Sequence, residues 1–181
     1  FYTSVIRGVE SVASPRGYYT LVYTTNELYE KEQTVFDGEF SHLVDGMILV
    51  PAKTDYTLYQ CTKPTVIIDR EIPGSDMYSV CVDNYKGAVL LMEELIRFGH
   101  RKIAIISGPL KFNIGIDRMN GYKDTLRRYH IPVREEYICV GEWFEEDGYH
   151  LTNQLLQLAD PPTAILAANN LTCIGSAECL C

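Results

Sequence analysis

The sequence lacks the features of a membrane protein. No apolar run approaches the roughly 20 residues that a membrane-spanning helix needs, and the N-terminus has no basic segment followed by an apolar one. Positive charge is also scarce, because 16 Lys and Arg stand against 24 Asp and Glu, for a net charge of −8. Such a chain repels a phosphate backbone, so any contact with DNA requires a different segment.

Motifs for catalysis and cofactor binding are missing as well. There is no Gly-x-Ser-x-Gly elbow, His-Glu-x-x-His pair or Walker loop, and the four histidines show no metal-ligand spacing. Gly108 and Gly115 do not form the Gly-x-Gly-x-x-Gly pattern that lets a backbone approach a pyrophosphate. We therefore predict no catalytic residue, no metal site and no cofactor, since an enzyme would need a nucleophile with its base or a cofactor loop.

The six cysteines show no Cys-x-x-Cys pair. Cys81 and Cys139 lie in apolar, strand-like runs, where a free thiol behaves as a small apolar side chain. Cys173, Cys179 and Cys181 are predicted to belong to one helix. Reduced cysteines favour a cytoplasmic location.

What the sequence does contain is an alternation of helical stripes and short apolar runs. One clear stripe is Ala88, Leu91, Met92, Leu95 and Ile96, closed by Gly99, and a shorter helical stretch is predicted at 55–61. The apolar runs predict strands at 18–24, 47–50, 65–69, 79–82, 102–107, 137–140 and 163–168. Continuous apolar strands separated by amphipathic helices indicate an α/β fold with doubly wound parallel sheets.

Polar or aromatic residues follow five of these strands. They are Asp69, Asp83-Asn84, Gly108-Pro109, Glu142-Trp143 and Asn169-Asn170. Ligands of open α/β sheets bind beyond the carboxyl ends of the strands, so these positions predict a shared cleft. Helix capping is the alternative role for each Asp or Asn taken singly.

Several segments occur in an order that resembles the LacI/GalR family of transcription regulators. They are VDGMILVP at 44–51, IIDREIPG at 67–74, VDNYKGA at 82–88, LIRFGHRKIAIISGP at 95–109, RMNGY at 118–122, PPTAILAANN at 161–170 and Ile174-Gly175. The resemblance extends over essentially the whole chain.

The resemblance implies the type I periplasmic-binding-protein fold, with two lobes at 1–83 and 84–181 and a hinge at Asp83 and Asn84. By family comparison we expect the chain to lack the strand before Phe1, the DNA-binding headpiece before that strand, and the final third of the sensor. The implied function is a homodimeric sensor whose effector modulates operator binding.

Family resemblance also implies the ligand contacts. Phe1 and Tyr2 match aromatic or apolar groups at the pocket mouth, Asp69 matches a polar contact, and Arg118 matches the family's Arg-x-x-Gly-aromatic motif. Trp143 matches a stacking ring, and Asn169 matches the asparagine of an Ala-Asn-Asp segment, although Asn170 replaces the usual Asp. Carboxylate, amide and guanidinium groups beside an aromatic face suit a sugar-like effector.

Alternatives remain open for these residues and for the function. Arg118 has Asp117 and Asp124 as candidate ion-pair partners, and Trp143 is also a candidate core residue. The second functional interpretation is an extracytoplasmic sugar-binding protein of an ABC transporter, which shares the fold. Residues 95–109 and the free cysteines favour the regulator; a helix-turn-helix upstream would decide for it, and a signal peptide against it.

Overall fold

The computed structural model of the chain describes residues 2–36, 39–59 and 62–181. The helices are α1 (Tyr2–Ala13), α2 (Tyr29–Phe36), α3 (Asn84–Arg97), α4 (Asn113–Arg128), α5 (Glu145–Leu156) and α6 (Asn170–Leu180). The strands are β1 (Met47–Leu49), β2 (Thr65–Ile68), β3 (Tyr78–Val80), β4 (Ile103–Ser107), β5 (Ile138–Val140) and β6 (Ala164–Ala167). Helices and strands alternate through most of this range, as the sequence predicts.

The strands form two parallel sheets. The first sheet has the order β1-β2-β3 and the second has the order β5-β4-β6. In the first sheet Ile67 of the central strand lies opposite Leu49 and Ser79, and in the second Ile105 lies opposite Ile138 and Leu166. Parallel strands that alternate with helices through most of the chain confirm the predicted α/β class.

The second sheet has a core on both faces. All five residues of β4 are buried. Side chains alternate between the faces of a strand: Ile103 and Ile105 pack with Met92 of α3 and Tyr122 of α4. The other face of β4 contributes Ala104 and Ile106 to a cluster with Tyr137 and Leu155. Both faces of this sheet are therefore covered by helices.

The core of the first sheet is smaller. Its buried members are Tyr59, Ile67 and Ile72. Within this part Glu32 of α2 is also buried, and its carboxylate accepts hydrogen bonds from the Ala52 amide at 2.9 Å and the Tyr59 hydroxyl at 2.8 Å. The connection after β1 is thereby tied to α2.

The predicted strand at 18–24 is wrong. The segment has no strand assignment, and its side chains are exposed, with Tyr19 fully accessible. A strand needs a neighbour that pairs its N–H and C=O groups, and in the described part of the chain neither sheet includes this segment. A run of β-branched and aromatic residues was therefore not sufficient to form a strand here.

Smaller differences occur elsewhere. The helical stretch predicted at 55–61 is a 3-10 turn at Tyr56–Leu58, and residues 60 and 61 lie outside the described residues. Of the stripe predicted on α3, Ala88, Met92 and Ile96 are buried and Leu95 is half-buried. Leu91 is 56% exposed, so the prediction is wrong for that residue. Within the described residues, no helix combines the length and apolar character required to cross a bilayer.

Candidate ligand-binding site

Asp69 and Tyr2 meet at the carboxyl end of the first sheet. The Tyr2 hydroxyl donates a hydrogen bond to Asp69 Oδ2 at 2.9 Å. Asp69 follows β2 directly and has a φ of 69°, in the left-handed region that Asp tolerates better than most residues. Burial raises the pKa of Tyr2, and the negative charge of Asp69 raises it further, so this phenol stays protonated and donates. The structure thus brings together two of the predicted ligand contacts.

Arg118 of α4 is held by neutral oxygens from two other elements. Its Nε and Nη2 donate to Asn84 Oδ1 at 3.0 and 2.7 Å, and its Nη1 donates to the Ala168 carbonyl. Asp124, one of the two candidate ion-pair partners, pairs instead with Arg127 at 2.8 Å. These acceptors are uncharged, so they do not neutralise the positive charge of Arg118.

The electrostatics of Arg118 connect it to the first sheet. Burial lowers the pKa of its guanidinium, while Asp69 and Tyr2 act in the opposite direction. The Asp69 carboxylate therefore lies within electrostatic range of Arg118, although the two residues are 49 positions apart in the sequence. An acceptor next to the first sheet and a cationic donor on α4 therefore interact through their charges.

Trp143 lies against the end of β4. A Cβ atom added to Gly108 would overlap the six-membered ring of the indole, so only glycine permits this approach. The Arg118 guanidinium carbon is 5.9 Å from the centroid of the Trp143 ring, within cation–π range. The indole is half-buried, which fits neither a fully solvent-exposed ring nor a fully enclosed core residue.

Asn169 and Asp83 act as helix caps. Asn169 Oδ1 accepts from the Thr172 amide at 2.7 Å at the start of α6, and Asp83 Oδ1 accepts from the Lys86 amide at 2.9 Å at the start of α3. The capping alternative is therefore correct for both side chains. In Asn169 capping uses the side-chain oxygen, and the amide NH₂ group keeps its two donors for other partners.

The predicted residues fall into two groups that share Arg118. A cavity of about 370 Å³ is lined by Asp83, Asn84, Arg118, Asn169 and neighbouring apolar residues. Within the described residues, this cavity is not lined by Tyr2, Asp69 or Trp143. Trp143 lies near Arg118 through its ring, and Asp69 and Tyr2 affect the pKa of Arg118. Phe1 lies outside the described residues.

An ion pair beside Asp69, between Arg70 and Glu27, was not predicted from the sequence. Arg70 is almost fully buried and forms a bidentate ion pair with Glu27, at 2.5 and 2.6 Å. A charge directly after an apolar strand should have indicated this, because a buried guanidinium requires a partner. The partner itself lies 43 residues away, beyond the reach of local sequence patterns.

Two parallel sheets with polar residues at their carboxyl ends are typical of α/β proteins that bind small ligands. The family described as periplasmic binding proteins and sugar binding domain of the LacI family matches residues 1–180. The chain belongs to this family, and its sheets and helices have the type I periplasmic-binding-protein arrangement of LacI regulators. The resemblance found in the sequence is thereby confirmed.

Three relatives illustrate the similarity. The HTH-type transcriptional repressor CytR of Escherichia coli (strain K12) is 29% identical over 180 residues, covering 97% of this chain and 53% of CytR. The HTH-type transcriptional repressor PurR of Photorhabdus laumondii is 26% identical, with 97% and 53% covered. The crystal structure of the transcription regulator CcpA of Lactococcus lactis superposes with a TM-score of 0.89 at 25% identity, covering 99% of this chain and 67% of CcpA.

The chain spans about half the length of the curated relatives it matches. These relatives bear the names of transcriptional regulators, not of enzymes. In the described part of the chain, no group of three or more His, Cys, Asp and Glu residues is arranged to hold a metal ion.

Proposed function

We propose that this chain is the effector-sensing part of a cytoplasmic, DNA-binding transcription regulator. A small polar metabolite would bind between the ends of the two sheets and alter the affinity of a separate DNA-binding segment for its operator. The observation that carries the proposal is Arg118, a half-buried cation that protein oxygens orient by three hydrogen bonds. An arginine has five N–H donors. Contacts with the described residues use three of them, so two remain for a ligand.

The chemistry of the site favours a polyhydroxylated ligand such as a sugar or a nucleoside. Asp69 offers a carboxylate whose second oxygen can accept from a hydroxyl, and Arg118 offers paired donors. Trp143 presents an aromatic ring within 5.9 Å of the same guanidinium, suited to the C–H face of a sugar ring. Donors, an acceptor and an apolar face are typical of a small-molecule pocket, and Arg118 is the residue that connects them here.

The names of the relatives favour a regulator over a transport protein. The family description covers both periplasmic binding proteins and LacI regulators, so family membership alone leaves the transporter alternative open. The relatives reported above are repressors and a transcription regulator. The acidic charge of the chain, −8, agrees with a sensor whose DNA contacts lie in another segment.

The proposed mechanism treats 1–83 and 84–181 as two lobes with Asp83 and Asn84 at the hinge. Asn84 suits this role, because its side chain accepts from Arg118 and its backbone begins α3. A ligand that binds both Asp69 and Arg118 would favour the closed arrangement of the lobes over an open one. In a homodimer, a coupling free energy of about 1 to 3 kcal/mol between ligand and operator would produce a useful switch.

The test is a thermal-shift screen of pentoses, hexoses, nucleosides and purines, followed by calorimetry with the best compound. Replacing Arg118 with Ala should weaken binding at least 100-fold, because hydrogen bonds from a charged donor would be lost. Arg127→Ala is the matched control, since Arg127 lies on the same helix but is exposed and paired with Asp124. Equal affinity of the wild type and Arg118→Ala for the compound would overturn the assignment of the site.

A further inference from the structure

Arg70 is anchored on the side of the first sheet. Its side chain is 3% exposed, and its two Nη atoms donate to the two carboxylate oxygens of Glu27 at 2.5 and 2.6 Å. Nη1 also donates to the Pro51 carbonyl at 2.8 Å. A bidentate pair and a third acceptor fix both the position and the plane of the guanidinium.

The same guanidinium touches the other half of the molecule. Its central carbon is 3.9 Å from the centroid of the Phe112 ring, which precedes α4 in the connection that follows β4. Phe112 is 1% exposed, so this contact excludes water. The next residue on each side takes part as well, because the Glu71 amide donates to Asn113 Oδ1 at 3.1 Å.

These contacts adjoin the residues of the ligand site. Arg70 follows Asp69 directly, and Asn113 and Arg118 lie on the same helix, α4. Asp69 itself has the left-handed φ of 69°, which neighbouring contacts must sustain. Any separation of Arg70 from Phe112 would move Asp69 relative to Arg118.

We infer that Arg70-Glu71 and Phe112-Asn113 form a closure contact, which holds the two sheets around the cleft without requiring a ligand. In this role Arg70 and Phe112 are positioning residues that set the distance between the acceptor on one side and the donor on the other. The inference concerns the same site as the proposed function, but it does not depend on the identity of the ligand or on its binding.

The only tryptophan of the chain provides the measurement. Trp143 lies against Gly108, at the end of β4 that faces the cleft, so its collisions with dissolved acrylamide report how open the cleft is. Phe112→Leu keeps an apolar side chain of smaller volume but removes the ring face on which Arg70 stacks. We expect this variant to raise the acrylamide quenching constant of Trp143 at least twofold in the ligand-free protein.

A second Arg–Phe pair supplies a matched control. The Arg97 guanidinium carbon lies 4.9 Å from the centroid of Phe98, but Arg97 is the last residue of α3, Phe98 follows it directly, and Phe98 is 69% exposed. Phe98→Leu should therefore leave the quenching constant at the wild-type value. A folded Phe112→Leu protein with the wild-type quenching constant would overturn the inference.

Amide exchange separates closure from general loosening. The Glu71 amide is protected by Asn113, a contact that Phe112→Leu leaves chemically intact. We expect the Glu71 amide to exchange at least tenfold faster in this variant, while the amides of β4 exchange as in the wild type. Equal acceleration in both places would mean that Phe112 acts only as a core residue, and the inference would fail.

If Phe112→Leu does not fold, Asn113→Ala decides. That variant removes the acceptor of the Glu71 amide while leaving the buried ring in place. Increased quenching of Trp143 would support the closure contact, and unchanged quenching would overturn it. Because no ligand is present in these measurements, a failure to find an effector leaves their outcome unaffected.

Discussion

The two sheets are built from similar sequence but are packed very differently. In the second sheet the central strand, β4, is buried along its whole length and has helices on both faces. In the first sheet only Ile67 of the central strand is fully enclosed, and β3 is exposed throughout. A parallel strand is thus stabilised by the helices that cover it, more than by its own apolar sequence.

The largest expected difference between the sheets comes from one pair of isoleucines. Ile105 of β4 is completely buried, whereas Ile48 of β1 is 50% exposed. Ile105→Ala should lower the free energy of unfolding by about 2 to 5 kcal/mol, because it leaves a cavity between packed helices. Ile48→Ala should cost about 1 kcal/mol or less. Urea unfolding followed by circular dichroism measures both, and equal losses would refute the comparison.

Replacing two helical glycines with alanine should change the stability by intermediate amounts of opposite sign. A Cβ at Gly175 of α6 would overlap the carbonyl oxygen of Glu145 in α5, whereas a Cβ at Gly8 of α1 would meet nothing within 4 Å. Gly175→Ala should destabilise the protein by about 1 to 3 kcal/mol through overpacking. Gly8→Ala should stabilise it by roughly 0.5 to 1 kcal/mol through helix propensity.

Thermal unfolding of the two glycine variants would show the difference directly. A Gly175→Ala protein as stable as the wild type would mean that α5 and α6 do not pack as closely as described. A Gly8→Ala protein that is less stable would mean that α1 packs against a neighbour at that position.

The smallest expected effect is on how the free energy of unfolding depends on pH, which should have opposite signs for Glu32, near the first sheet, and Asp160, near the second. Burial raises the pKa of Glu32, and the hydrogen bonds from Tyr59 and Ala52 offset this only in part. Because the folded protein then holds this proton more tightly, the stabilising contribution is complete below the ordinary pKa of 4.5 and is lost as pH rises through the folded value. Relative to Glu32→Gln, the wild type should lose stability as the pH rises above 4.5.

Asp160, near the second sheet, should behave in the opposite way. Hydrogen bonds from Lys102 and Arg134 lower the pKa of its carboxyl, so its contribution is present above the ordinary value of 3.8 and is lost as pH falls through the folded value. Urea unfolding at several pH values would show that the free energy of unfolding falls more steeply at acid pH for the wild type than for Asp160→Asn.

The control for the Glu32 prediction is Glu30→Gln, an exposed position on the same helix. Its free energy of unfolding should vary with pH as that of the wild type does.

The residues of the candidate site were predictable in part. Asp69 and Asn169 stand directly after apolar strands or one residue beyond them, so their placement at the ends of the two sheets followed from local pattern and the parallel arrangement. The alternative of helix capping, correct for Asn169, also followed from its residue type. The hydrogen bond from Tyr2 to Asp69 was not predictable, since it joins residues 67 positions apart.

The segment at 18–24 marks the limit of pattern-based prediction. Its β-branched and aromatic residues are typical of a strand, and still it has no strand assignment and is exposed. Local sequence states a conformational preference, whereas a strand exists only where a second strand supplies its hydrogen bonds.

By itself, the sequence determined the α/β class, the positions of most strands and the polar character of the strand ends, because these depend on periodicity and residue type within a few neighbours. Only the tertiary structure decided that Arg118 is held by Asn84 and Ala168, and that Arg70 pairs with Glu27 while stacking on Phe112. Charged side chains that are wholly or partly buried bind the partners that the fold brings within reach, and these partners lie between 34 and 50 positions away along the chain.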